Sequence, residues 1–75
     1  MIRYKNLSGG SGVVFYEIEA GRITIKFNDG WNYLYSAQST SNINIQEMAR
    51  LATQGYGLNS FITRVVGKGF VRKWQ

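Results

Sequence analysis

Residues 23–35 read ITIKFNDGWNYLY, and the fold turns on the Asp29-Gly30 pair inside that stretch. Before the pair, Ile23, Ile25 and Phe27 alternate with Arg22, Thr24, Lys26 and Asn28, the period of a strand with one buried face. After it, Trp31, Tyr33 and Tyr35 alternate with Asn32 and Leu34. Asp-Gly between two such runs predicts a hairpin closed by a two-residue type I′ turn, since both central residues of that turn need positive φ. The register of the hairpin decides what the rings are for. A two-residue turn sets Lys26 opposite Tyr33 and Thr24 opposite Tyr35, which puts the rings on the face away from the aliphatics. A longer turn reverses this, because a slip of one residue moves every side chain across the sheet. From the stretch alone, Trp31, Tyr33 and Tyr35 are either core or a stacking surface, and both readings stand.

Working outward, VVFYEIE at 13–19 alternates again, with Val14, Tyr16 and Ile18 on one face and Val13, Phe15, Glu17 and Glu19 on the other. Ala20-Gly21 supplies a tight reversal into the next strand. Two successive hairpins make a three-stranded antiparallel meander, which needs a cover on its apolar face. Upstream, residues 1–12 form an N-terminal arm. MIRYKNL fits an edge strand or a frayed lead equally well, and LSGGSG at 7–12 is composed like a flexible link.

Downstream the period changes. In SNINIQEMARLATQG, residues 41–55, Ile45, Met48, Ala49 and Ala52 recur at helical spacing, Asn44 and Glu47 are placed as a capping box, and Gly55 is a C-terminal stop. LNSFITRVV at 58–66 fits a second, shorter helix with Leu58, Phe61, Ile62 and Val65 in one stripe. Gly67 and Gly69 end it, and FVRKW at 70–74 returns as a short terminal strand. The expected class is α+β: a small meander of three strands, two short helices and a last short strand, with residues 13–75 forming one domain.

The composition narrows the chemistry. Seventy-five residues with no cysteine and no histidine have neither disulfides nor the common zinc ligand sets to support a small core, so the 44% hydrophobic residues must build it, or a partner subunit must lend surface. There is no thiolate nucleophile and no imidazole base. The acidic side chains are Glu17, Glu19, Asp29 and Glu47. Glu17 and Glu19 share a strand face and read as solvated charges before they read as an acid–base pair, while Asp29 is explained by its turn and Glu47 by its cap. No enzyme, cofactor or metal is expected. GYGLNS at 55–60 is short of the dinucleotide fingerprint: it lacks the third glycine and follows a helix instead of a strand. A weaker version is an anion site on the backbone N–H groups of Gly57, Leu58 and Asn59, set against a plain inter-helix turn. No stretch approaches the length of a membrane span, and the N-terminal MIRYKNLSGG has no apolar signal-peptide core, so a cytoplasmic protein without membrane contact is expected.

Nine basic residues against four acidic ones give a formal charge of +5, which favours polyanions. Arg64, Lys68, Arg72 and Lys73 crowd the C-terminal segment beside Phe70 and Trp74, and Lys26 sits on the outward face of its strand. Cations interleaved with aromatics suit a nucleic-acid surface, since Lys and Arg meet phosphates while rings stack on bases. The candidate set is Arg64, Lys68, Arg72, Lys73, Trp74, Lys26, Tyr33 and Tyr35.

Tyr16, the strand ending at Phe27, the Gly30 turn, the spaced pair Tyr33 and Tyr35, and ATQGYGLNSFI at 52–62 together resemble the KTSC domain. This small module is named after the C-terminal region of some lysyl-tRNA synthetases and also occurs alone. Within 52–62, Gly55, Asn59 and Ile62 match the family's run. The valine-proline that usually follows the second tyrosine is missing, and Gly57 stands where an aromatic is common. The resemblance covers about Ser11 to Phe70 and implies a compact α+β domain without an assigned reaction, with RNA contact suggested by the synthetase association. The expectation is a non-enzymatic binding module with RNA or another polyanion as partner; the alternative is a protein-interaction or self-associating domain.

Overall fold

The structure, a computed structural model, describes residues 1–75. Five antiparallel strands lie in chain order: β1 (Ile2–Arg3), β2 (Val13–Glu19), β3 (Arg22–Phe27), β4 (Asn32–Ser36) and β5 (Arg72–Trp74). Helix α1 (Asn42–Gln54) and the short α2 (Leu58–Phe61), which runs on into a π-helical turn at Ile62–Val66, pack on one face of the sheet. The class is α+β, and the expected three-stranded meander is β2–β4. It is widened by β1 from the arm on one side and by the terminal strand on the other. No helix is long and apolar enough to cross a membrane.

The central hairpin corrects the expected turn. The Gly30 N–H donates to the Phe27 carbonyl at 3.0 Å and the Phe27 N–H donates to the Trp31 carbonyl at 2.9 Å, so three residues, Asn28 to Gly30, form the loop. Of these only Gly30 (φ 91°) is left-handed, and a type I′ turn would need a second such residue. Asp29 instead uses its carboxylate, whose Oδ1 accepts the Trp31 N–H at 3.0 Å. The extra residue sets the register: Ile25 faces Tyr33 and Ile23 faces Tyr35, so the rings join the aliphatic face. Tyr35 is buried and Tyr33 half-buried.

Strand β2 departs from strict alternation. Val13 pairs with Phe27 but Phe15 pairs with Lys26, leaving Val14 as a bulge whose carbonyl accepts the Tyr4 N–H at 2.8 Å. The bulge brings Val13 onto the core face with Tyr16 and leaves Phe15 on the other, which corrects the expectation that Val13 and Phe15 share a face. It also seats the arm. Tyr4 is 3% exposed, and its hydroxyl accepts the Leu58 N–H at 3.4 Å.

The helices also depart in detail from the pattern. Ser41, not Asn44, caps α1: its hydroxyl accepts the Asn44 N–H at 3.1 Å, and Asn44 donates to Thr40 Oγ1 at 2.8 Å. Glu47 caps nothing and pairs with Arg50 at 2.6 Å. Gly55 ends α1 as expected, at φ 93°. The buried stripe is Ile45, Met48, Leu51 and Ala52, with Leu51 in the place expected of Ala49. In the second helix the Gly67 N–H reaches the Ile62 carbonyl at 2.7 Å, five residues back, and the wider turn puts Val66 in the core. Val65 is therefore 54% exposed, against expectation, and Phe61 only lies along the edge of the core. Ile23, Ile25, Met48 and Leu58 are sealed completely. Each such side chain contributes roughly 1.5–3 kcal/mol relative to exposure.

Candidate nucleic-acid interface

Because both helices cover the face of Ile23, Ile25 and Tyr35, the alternate residues of the same strands form an outer face without a helix. The registers join there into a single row across all five strands: Arg3 faces Phe15, Phe15 faces Lys26, Lys26 faces Asn32, and Asn32 faces Trp74. A second row runs Glu17, Thr24, Leu34 and Arg72. Cross-strand partners stand side by side on one face, so the first row alternates cation, ring, cation, amide and ring. Neighbouring strands are about 4.8 Å apart, which sets Phe15 and Trp74 roughly 14 Å from each other.

Two cations of the outer face lie against its rings. The Arg3 guanidinium carbon lies 5.9 Å from the Phe15 ring centre and that of Arg72 lies 5.1 Å from the Trp74 ring. Trp74 is 36% exposed and Phe15 and Lys26 are half-buried, while Thr24 and Asn32 between them are buried. Asn32 Nδ2 donates to the Trp74 carbonyl at 3.4 Å, tying the middle of the row to the terminal strand. The side chains in ion pairs are Glu19 with Arg22 and Glu47 with Arg50, and the terminal ammonium meets Glu17 at 3.8 Å. Arg3, Lys26 and Arg72 therefore carry charge not neutralised by any carboxylate within 4 Å. Glu17 and Glu19 lie toward the other end of β2, where the terminal ammonium and Arg22 pair with them, so the uncompensated charge of the outer face is positive.

The candidate residues divide among three places. Lys26, Arg72 and Trp74 meet on the outer face. Tyr33, Tyr35, Lys68 and Lys73 lie on the helix side, where they line a cleft of about 670 Å³ with Phe27 and Phe70. Arg64 stands exposed on the second helix and is not among the residues that line the cleft. Of the three residues considered for an anion, Leu58 already donates its N–H to Tyr4, and its side chain is sealed in the core. Arg3 and Phe15 were not legible as site residues. Arg3 is placed by pairing between the arm and β2, and Phe15 by the bulge at Val14. The signal within reach was the outward position of Lys26, next to which Phe15 falls, with Arg3 one strand further on.

Burial acts on the tyrosines of the helix side. The Tyr35 hydroxyl is pushed up to about 12 by desolvation, with the neighbouring Tyr33 adding to the shift. Burial raises Tyr4 as well, and the hydrogen bond from Leu58 works against it.

No protein-family model, curated protein or solved structure matches the chain.

Proposed function

We propose that this protein is a non-enzymatic module that binds single-stranded nucleic acid, RNA foremost, on the outer face of its sheet. One observation carries the reading: the Arg3–Phe15–Lys26–Asn32–Trp74 row, in which the unpaired Arg3 and Lys26 flank Phe15 while Arg72 of the next row lies against Trp74. Rings on an open antiparallel sheet stack on unpaired bases without regard to sequence, and the cations between them meet the phosphates. The roughly 14 Å between the rings leaves room for two or three nucleotides of an extended strand. Asn32, held to the Trp74 carbonyl, ties the middle of the row to the terminal strand. Self-association through a strand edge is the weaker reading. The free edges β1 and β5 are two and three residues long and carry Arg3, Arg72 and Lys73, which is how sheets avoid edge pairing.

The resemblance to KTSC domains is, on this reading, one of fold. Among its marks Tyr16, Tyr35 and Ile62 are buried, and Gly30 and Gly55 serve turns, so they support the scaffold and not the outer row.

Fluorescence anisotropy of a short labelled single-stranded RNA, read at several salt concentrations, tests the proposal. The triple variant Arg3→Gln, Lys26→Gln, Arg72→Gln should keep the parent's melting temperature, because exposed charges contribute little to stability. Its slope of log affinity against log salt should be shallower by about 2, at about 0.7 per phosphate contact. Absence of parent binding at about 50 mM salt and 100 μM protein, the range of ordinary non-specific contacts, would sink it.

A further inference from the structure

The helix-side cleft is a second site that the sheet-face reading does not use. It lies between the β3–β4 turn, β5 and the end of the second helix, and its volume of about 670 Å³ falls in the range of small-molecule pockets. Its apolar lining is aromatic. Phe27 and Phe70 stand at 87° and 82° to Tyr33, with ring centres 5.3 and 5.0 Å from it, so the lining offers both ring faces and ring edges. Tyr33 and Phe70 are only half-buried although they pack on the core, which leaves ring surface free for a guest.

The charged groups sit at the rim. Lys68 and Lys73 are exposed and neither is within ion-pair reach of a carboxylate, since the chain's ion pairs are Met1–Glu17, Glu19–Arg22 and Glu47–Arg50. The Lys73 ammonium lies 5.1 Å from the Trp31 ring centre and 5.8 Å from that of Tyr33, held at the aromatic wall. Asp29, the one carboxylate of the lining, is engaged with the Trp31 N–H in the turn. Asn59 and Thr63 add amide and hydroxyl groups from the second helix. An aromatic wall beside two unpaired cations fits a planar ring that carries an anionic group, and the nearby amide and hydroxyl can bond the polar edge of that ring. We infer that the cleft binds a nucleoside monophosphate, free or as the phosphorylated end of a strand, with its base against Tyr33 and Phe70 and its phosphate on Lys68 and Lys73.

Strand β5 separates the two sites. Successive residues point to opposite faces, so Lys73 serves the cleft while Arg72 and Trp74 serve the outer face. The cleft can therefore be tested without disturbing the sheet face. Amide and aromatic NMR signals of the full chain would be followed during titration with a nucleoside 5′-monophosphate, the same nucleoside without phosphate, and inorganic phosphate, each to about 5 mM, which fills most of a millimolar site. The monophosphate should shift Tyr33, Phe70, Thr63 and Lys73 while leaving Phe15 and Lys26 still. The nucleoside should bind at least tenfold more weakly, and Lys68→Gln with Lys73→Gln should weaken the monophosphate by a similar factor without changing the melting temperature. A 5′-phosphorylated dinucleotide binding the cleft more tightly than the monophosphate would identify a strand end as the source, and the reverse order a free nucleotide. Either order supports the site. No shift at the cleft, shifts on the outer row alone, or equal binding of inorganic phosphate would overturn it. The last result would mean that the lysines attract any anion and the rings contribute nothing.

Discussion

The two faces of this sheet are built from alternate residues of the same strands, yet they meet opposite requirements. On the inner face Ile23, Ile25 and Tyr35 are sealed beneath α1 and α2, with Tyr4 brought in from the arm. On the outer face Arg3, Phe15, Lys26 and Trp74 keep contact with solvent although each is one residue away from an inner partner. The difference teaches that one residue of register separates packing from recognition here. The three-residue turn at Asn28–Gly30 and the bulge at Val14 set that register, and both lie at the same end of the β2–β3–β4 meander. Moving either would carry the rings of β4 out of the core or Phe15 into it.

Paired substitutions in neighbouring positions give the sharpest break between the faces. Ile25→Ala should cost about 2–5 kcal/mol of stability, by loss of a sealed side chain and the cavity left behind. Lys26→Ala, one residue on, should stay within about 0.5 kcal/mol. Urea melts of both variants check this, and equal losses would mean that the outer face is packed against something the monomer does not contain.

Gly55 tests how firmly the arm is locked to the inner face. Its φ is 93°, and a Cβ there would come within 2.8 Å of Lys5 Cβ and 3.4 Å of Leu7 Cγ. Gly55→Ala should therefore destabilise the domain by about 1–3 kcal/mol through backbone strain, with the clash adding to it. Lys5→Gly removes the closest contact, so thermal melts of Lys5→Gly, Gly55→Ala and the two combined separate the clash from the strain.

The outer face should respond in binding and not in stability. Trp74→Ala should weaken single-stranded RNA by about 1–3 kcal/mol, the usual loss of one stacked base, with the melting temperature unmoved. Anisotropy titrations alongside melts would show it. A fall in melting temperature without loss of affinity would make Trp74 a packing residue.

The smallest effect concerns pH. Tyr35 titrates near 10.0 in an ordinary setting and is pushed up to about 12 in the fold by burial, so the neutral hydroxyl is favoured when folded. That contribution is whole below about pH 10 and is lost as pH rises through about 12. The melting temperature should stay level up to pH 10 and then decline. Tyr35→Phe should make the decline gentler but not abolish it, because Tyr4 is raised in the same direction.

Much of the fold was legible because period-2 and period-3.6 patterns are local. β2, β3, β4 and both helices fall where alternation and helical spacing put them. What escaped depends on single residues that change the phase. Asp29 spends its carboxylate on the turn in place of a positive φ, Val14 bulges to receive Tyr4, and the wide turn after Phe61 exchanges Val65 for Val66. The candidate site was legible in kind but not in place. The C-terminal cations are exposed, yet β5 sends Arg72 and Lys73 to opposite faces. Arg3 and Phe15 complete the outer row only through pairing between residues far apart in the chain. Contacts of that kind leave no mark within a short window of sequence.

The central claim is that the outer face receives the body of a nucleic-acid strand. The most direct measurement is the map of backbone and indole NMR shifts during titration with an unphosphorylated single-stranded RNA about eight nucleotides long, within the site sizes usual for such surfaces. The largest shifts should fall on Arg3, Phe15, Lys26, Asn32 and the Trp74 indole, spread across all five strands and absent from Ile45, Met48 and Leu58. Shifts confined to the cleft residues Lys68, Phe70 and Lys73, or no shifts at low salt, would contradict the account.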